Sequence, residues 1–250
     1  MGRQDSVALV TASVDDLHGR IEAACAGALA GEAAAGTAAG AADLIGVAES
    51  AAACGGFVEE DLRQRGLERQ SRSGGPGLLL RALPFGMLTP LDRPRLRRDA
   101  YRCVALAGAD EGTAIASVAA AILVADLMRF DVATSLIRVR QSLLEDAPMA
   151  LLARLAPLAD GSPADAADSG AVLQQAITAL AVAESVQQAV ASAVGAHPVA
   201  AGLAGALTGA HLGAAGLDGI DVESLPHADR ALPIARRLAE RADAALANIG

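Results

Sequence analysis

Residues 170–213 read GAVLQQAITALAVAESVQQAVASAVGAHPVAAGLAGALTGAHLG. Ala, Gly, Leu and Val dominate this stretch, and it lacks the alternating, β-branched pattern that is typical of strands. Alanine is the best helix former, and faces of Ala and Gly let two helix backbones approach closely. The stretch therefore predicts buried helices that approach one another closely.

The whole chain has the same character. Of its 250 residues, 53% are hydrophobic but only 2% are aromatic, and there is no Trp. Its core must therefore come mainly from Ala, Leu, Val and Ile. We expect an all-α, compact multi-helix fold, and the length allows a single domain over residues 1–250. Helices are predicted over 14–35, 95–106, 113–129, 132–158 and 226–247, with loops at 64–77 and 159–169.

The charge of the chain excludes several classes of function. The formal net charge is −9, with one Tyr and three Phe. Nucleic-acid binding needs a positive surface, or aromatic platforms for single strands, so no nucleic-acid partner is expected. All 20 basic residues are Arg, which excludes Schiff-base chemistry on Lys. Arg93, Arg95, Arg97 and Arg98 are interpreted as a solvated helix face rather than a phosphate-binding cluster.

Cysteine usage and the hydrophobic segments bear on location. Cys25, Cys54 and Cys103 show no CxxC spacing, so we expect free thiols. The first 20 residues do not form a secretory signal, which favours a cytoplasmic protein. Residues 189–217 lack acidic and basic side chains and are long enough to span a bilayer. Their Ala and Gly content is weakly apolar, so we expect a buried hairpin and no membrane partner.

Small residues recur at fixed spacing along the chain. The second helix of the quoted stretch carries Gly205, Ala206, Leu207, Gly209 and Gly213, and the first predicted helix carries Gly27, Ala28, Leu29, Gly31, Glu32 and Gly36. Residues 41–65 (AADLIGVAESAAACGGFVEEDLRQR) and 74–87 (GGPGLLLRALPFGM) follow in the same order. In order and spacing, the chain from Arg20 to Leu246 resembles the ADP-ribosylglycohydrolase family.

The resemblance implies a helical fold that holds two magnesium ions and cleaves a glycosidic bond of ADP-ribose. Family members carry aspartates in a TDDT-type turn, which falls on residues 37–40 here, and in a GGDTDT-type turn, which falls on 194–199. This chain has Thr-Ala-Ala-Gly in the first turn, and Ala196 and Pro198 stand at the aspartate positions of the second. None of these side chains offers the hard oxygen ligands of magnesium, apart from one hydroxyl. We therefore expect no metal and no cofactor.

The resemblance also nominates site residues around a cleft, next to a loop at 64–77 that is shorter than in the family. Glu32, Glu49 and Asp110 are the catalytic candidates, because a carboxylate buried among apolar side chains has a raised pKa that suits proton transfer. For each of them the alternative is a helix cap or an ion pair. The ligand-binding candidates are Gly75, Gly77, Arg81, Glu111, His197 and His211.

Three functions remain open from the sequence. The first is a pseudoenzyme that keeps the cleft as a binding site for a nucleotide-like or other small molecule, or for a protein partner. The second is a metal-independent enzyme that acts on a small metabolite, for instance in the specialised metabolism of a GC-rich bacterium. The third is an accessory protein whose Ala/Gly faces pair with another subunit, either a second copy of this chain or a different protein.

Overall fold

The computed structural model describes residues 14–69, 75–155, 168–195 and 197–247, and every regular element in these ranges is helical. The α-helices are α1 (Val14–Ala34), α2 (Ala39–Cys54), α3 (Glu59–Gln64), α4 (Leu78–Leu88), α5 (Arg93–Leu106), α6 (Glu111–Leu127), α7 (Val132–Leu143), α8 (Met149–Arg154), α9 (Ser169–Val182), α10 (Val186–Ala193), α11 (Pro198–Leu212) and α12 (Ala228–Ala247). Short 3-10 turns lie at Gly75–Gly77, Gly213–Leu217 and Val222–Ser224. The predicted all-α fold is confirmed.

The centre of the molecule is the antiparallel pair α1 and α11, which touch along glycines. A methyl group on Gly27 would lie 2.6 Å from the carbonyl carbon of Gly205, and one on Gly31 would lie 2.6 Å from the Cα of Gly202. Real Cβ atoms essentially never come within 3.0 Å of such atoms. The two backbones are therefore closer than any larger side chain allows, and this closeness packs the small residues that the sequence offers.

The rest of the core forms around this pair and around α4 and α6. Every residue of α4 is buried, and so is every residue of α6 from Thr113 onward. Among the described residues, the window Pro198–Leu217 is the one helical segment long and apolar enough to cross a membrane, yet 78% of it is buried inside the protein. Burial of this kind is typical of a core helix, as expected for the hairpin.

Most predicted helices are found, with boundaries shifted by a few residues. Two stretches are exceptions: 132–158 splits into α7 and α8, and the apolar stretch before the turn at 194–199 splits into α9 and α10. Pro148 directly precedes α8 and has an extended backbone (φ −58°, ψ 144°). The residue before a proline also disfavours the helical backbone conformation, so the helix is interrupted here. The predicted loop at 159–169 lies almost wholly outside the described residues, as do positions 70–74 of the loop at 64–77. The single-domain organisation of the complete chain stays a prediction.

The arginines at the start of α5 have acidic partners, of which Asp126 and Asp146 lie outside this helix. Arg93 pairs with Asp126 at 2.7 Å, and Arg97 pairs with Asp146. Arg98 contacts the neighbouring Asp99.

We expect Gly27→Ala to destabilise the protein by about 3 kcal/mol or more, because the added methyl group meets backbone that cannot rotate away. Gly19→Ala on the same helix is the control. Its Cβ would have no atom within 4 Å, and alanine at a helical position is favoured by about 0.5–1 kcal/mol. Urea unfolding of both variants measures the difference, and equal stabilities would contradict the close contact of α1 and α11.

Candidate functional site

The starts of several helices gather at one end of the bundle. Gly40 at the start of α2 and Gly202 in the second turn of α11 both face Leu80, which lies in the first turn of α4. A methyl group on Gly40 would lie 2.6 Å from Leu80 Cδ1, and one on Gly202 would lie 3.3 Å from it. Helix starts carry a partial positive charge and free N–H groups. This end of the molecule is therefore the first place to look for a polar site.

Glu32 reaches this end from the last turns of α1 and is 1% exposed. Its Oε2 accepts hydrogen bonds from the N–H groups of Gly40 at 2.8 Å and Ala41 at 3.4 Å. Ala38, the residue before α2, has no side-chain oxygen for this purpose, so Glu32 caps α2 from another helix. Its Oε1 is buried and has no hydrogen-bond partner.

The electrostatics of Glu32 follow from this location. Burial raises the pKa of its carboxyl above the ordinary value, the two backbone hydrogen bonds lower it, and the nearby Asp43 raises it again. The net direction is upward, because the loss of water outweighs the two N–H groups. Glu32 is therefore buried and has a raised pKa, which are the two properties that the sequence predicted for a catalytic candidate.

A second group of helix starts lies next to Gly75. The hydroxyls of Thr113 on α6 and Ser169 on α9 are hydrogen-bonded at 3.0 Å, and a methyl group on Gly75 would lie 3.3 Å and 3.6 Å from them. Both hydroxyl residues are buried. They border a cavity of about 260 Å³ that Asp110, Arg154 and Asp168 also line.

Asp110 caps α6 in this group. Its Oδ1 accepts a hydrogen bond from the N–H of Thr113 at 2.7 Å, which is the arrangement of an N-cap residue. Asp168 does the same for α9, and it also pairs with Arg154. The capping alternative weighed for Asp110 is therefore what the structure gives it, while a catalytic role stays a prediction.

The two histidine candidates lie at opposite ends of α11. His197 caps the helix, since its Nδ1 accepts a hydrogen bond from the N–H of Val199 at 3.1 Å, and burial lowers its pKa. His211 lies 14 residues later, about 21 Å along the helix axis. Burial and the charge of Arg20 lower the pKa of His211. The two side chains therefore cannot share one ligand site.

Arg81, a ligand-binding candidate, is 3% exposed and has protein partners on two sides. Its Nη1 donates to the carbonyl of Leu67 at 2.8 Å, and its Nε lies 3.1 Å from Asp43 Oδ2 without hydrogen-bond geometry. Arg81 thus anchors the segment that follows α3, next to the predicted cleft loop. Gly77, the last of the glycine candidates, is buried directly before α4.

Glu49 and Glu111 lie away from Glu32. Glu49 pairs with Arg65 at 3.1 Å and Arg230 at 2.8 Å, and it lines a cavity of about 340 Å³ between α2 and α12. Glu111 is exposed and lines a groove of about 520 Å³ beside α5. Glu32, Glu49 and Asp110 therefore do not meet in any of these cavities.

Thr113, Ser169 and Asp168 were not among the site residues predicted from the sequence. An Asp-Ser pair before an apolar run is nevertheless a recognisable helix start.

Comparison with known proteins decides the family. A profile described as ADP-ribosylglycohydrolase matches residues 7–247. The chain belongs to the ADP-ribosylglycohydrolase family. A solved structure titled "ADP-ribosylglycohydrolase-related protein complex" is similar with a TM-score of 0.76 and 16% identity, over 91% of this chain and 99% of that chain. At this identity the likeness shows the shared fold. No curated protein matches the chain in sequence.

The residues present do not fit the two magnesium ions that an ADP-ribosylglycohydrolase would hold. Within the described ranges there is no group of three His, Cys, Asp or Glu side chains arranged for a metal. Glu32 is the buried carboxylate nearest the start of α2, and its Oε2 is already bonded to backbone N–H groups. Two close divalent cations need several carboxylates to offset their repulsion. Glu32 has one carboxylate near it, that of Asp43, which already faces Arg81 at 3.1 Å, and these two are too few.

Replacement of Glu32 by Gln should change how stability depends on pH. A raised pKa in the folded state means that the contribution of Glu32 is complete below its ordinary value of 4.5 and is lost as the pH rises through the folded pKa. Glu32→Gln keeps a capping oxygen but has no charge. We therefore expect the variant to gain stability relative to the natural protein as the pH rises from about 4 to 8, by about 1.4 kcal/mol for each unit of raised pKa.

Urea unfolding at several pH values measures this gap, with Glu223→Gln, an exposed carboxyl, as the control. A gap that stays constant with pH would show that Glu32 is not desolvated in the folded protein.

His197→Ser should remove a pH dependence of the opposite sign. His197 must be neutral to accept the Val199 hydrogen bond, so its contribution is present above its unfolded pKa of 6.5 and is lost as the pH falls through the lowered folded pKa. Serine is an equally good cap that does not titrate. Thermal unfolding from about pH 8 to 5 should show similar stability at the high end and an advantage of up to about 1 kcal/mol for Ser at the low end. Parallel curves would rule out the capping role.

Proposed function

We propose that this member of the ADP-ribosylglycohydrolase family is a pseudoenzyme that binds a small molecule without hydrolysing it. The observation that carries the proposal is the use of Glu32. Where the family is expected to place metal-binding aspartates before α2, this chain has alanines, and the remaining carboxylate is engaged as a helix cap. Paired-magnesium chemistry has no ligands to act through, while the helix starts around it are retained.

The chemistry of this end favours an anionic, nucleotide-like ligand. The starts of α2, α4 and α11 lie around Glu32, and those of α6 and α9 lie beside Gly75, so partial positive charge gathers at this end. Four of these helices already have an N–H group bonded to a capping side chain, so the charge of the helix starts, more than free N–H groups, favours an anion. The unpartnered Oε1 of Glu32 supports a contact with a ligand, since it has no protein partner of its own. When its carboxyl holds a proton, Oε1 can donate a hydrogen bond to a phosphate or carbonyl oxygen.

A metal-independent enzyme is the second candidate, and the raised pKa of Glu32 favours it. A buried carboxyl with a raised pKa keeps its proton to a higher pH than a solvated one, which suits a general acid. Glu49 and Asp110 contribute no second group at this location, because both lie elsewhere with partners of their own. The acid therefore lacks an identified base, which places this candidate second.

Thermal unfolding with magnesium chloride, ADP-ribose and AMP tests the first proposal. We expect no shift with magnesium, and an increase with the nucleotide-like compounds, because a ligand of the native state at 100 times its Kd adds about 2.7 kcal/mol of stability. Glu32→Gln should weaken the nucleotide effect. Two magnesium ions bound per chain, or release of free ADP-ribose from an ADP-ribosylated substrate, would overturn the pseudoenzyme. Turnover without metal that is lost in Glu32→Gln would establish the second candidate instead.

A further inference from the structure

Three arginines surround one buried carboxylate at the opposite end of α6 from the helix starts described above. Arg93 comes from the start of α5, Arg129 follows α6, and Arg138 lies on α7. All three face Asp126, in the last turn of α6. We call these three side chains the arginine cluster. The 17-residue helix α6 separates it from the Thr113 end by about 25 Å.

The charges within the arginine cluster do not balance. Asp126 is fully buried and accepts from Arg93 Nη2 through both oxygens, at 2.7 Å and 2.9 Å, while Arg138 Nε lies 3.5 Å from one of them. Arg129 has no ion pair or hydrogen bond with any described residue. Three guanidinium groups therefore share one carboxylate, which leaves an excess of two positive charges.

The neighbouring acid, Asp131, makes no ion pair with these arginines among the described residues, and Asp126 is the acid whose charge acts on Arg129. Asp131 begins α7, and its carboxylate accepts from the N–H and the hydroxyl of Thr134, at 2.9 Å and 2.7 Å. The carboxyl end of α6 adds about half a negative charge, which explains part of one arginine but not two. A cation excess of this size in a chain of net charge −9 calls for a partner anion.

The geometry keeps the excess charge concentrated. The guanidinium carbons of Arg129 and Arg138 lie 4.9 Å and 4.4 Å from the centre of the same ring, that of Phe130. Arg93 Nη1 is buried and has no hydrogen-bond partner, so one charged N–H group also lacks an acceptor. Burial lowers the pKa of Arg129, and the charges of Arg138 and Arg93 act in the same direction while Asp126 opposes them.

We propose that the arginine cluster is a binding site for a phosphate group. Planar guanidinium groups match the oxygens of a phosphate in pairs, and each such contact is a charge-assisted hydrogen bond. Arg129 has its hydrogen-bonding capacity free, Arg93 offers the unused Nη1, and Arg138 is 41% exposed at its side chain. Phosphate binding there is independent of any ligand at the helix starts around Glu32.

Titration calorimetry with inorganic pyrophosphate tests the site. The variant is Arg129→Gln, which removes one cation without stranding a protein partner and so should leave the free energy of unfolding unchanged. Arg102→Gln is the matched control, because Arg102 also stacks on a phenylalanine, Phe57 at 4.5 Å, without an ion pair. We expect one pyrophosphate per chain, at least about tenfold weaker binding in Arg129→Gln, and unchanged binding in Arg102→Gln.

Two further measurements, one with added salt and one with lipid vesicles, complete the experiment. Binding should weaken as sodium chloride is raised, as for any exposed ion contact. Co-sedimentation with vesicles of phosphatidylcholine and phosphatidic acid that is lost in Arg129→Gln would assign the phosphate to a lipid headgroup, and its absence would assign it to a molecule in solution. Pyrophosphate that fails to bind, that binds Arg129→Gln as well as the natural protein, or that is weakened equally in Arg102→Gln would overturn the proposal. Pyrophosphate that bound around Glu32 instead would still bind to Arg129→Gln, and this result would also contradict the proposal.

Discussion

Close contact between the backbones of α1 and α11 is the constraint on which the rest of the structure depends. Gly27 and Gly31 face Gly205 and Gly202 without room for a methyl group. Ala and Gly bury little apolar area per residue, so a core built from them gains its stability from tight packing. The same contact fixes where α1 ends relative to α11. Glu32 therefore lies beside the starts of α2 and α11.

The position of Glu32 explains how the helix starts of this fold are capped without the aspartates expected in its turns. A helix start needs hydrogen-bond acceptors whether or not a metal is present. Glu32 supplies them to α2 from a distance of several residues, and His197 supplies one to α11 from its own turn. Helix capping and metal binding draw on the same kinds of oxygen and nitrogen atoms, and in this chain Glu32 and His197 use theirs for capping.

The two ends of the molecule differ in electrostatic character because its helices have direction. One end collects helix starts, with capping acids such as Asp110 and Asp168 close by. At the other, Arg20 donates to the carbonyl of His211 at the end of α11, and Arg129 and Arg138 lie near the end of α6. The carboxyl end of a helix carries about half a negative charge, so it can offset about half a positive charge placed beside it. The arginine cluster exceeds this amount, which distinguishes it from an ordinary helix terminus.

The sequence by itself determined the family, the helical fold and which side chains stand where the resemblance places aspartates. These follow from composition, from the rhythm of small residues and from the identity of single positions such as Pro198, all of which are local properties of the chain. Only the tertiary structure decided which candidate residues lie together. Glu49 pairs with Arg65 and Arg230, the latter 181 residues away, and Asp126 pairs with arginines from α5 and α7. Such partners are chosen by how helices pack, and packing joins residues whose separation along the chain carries no signal.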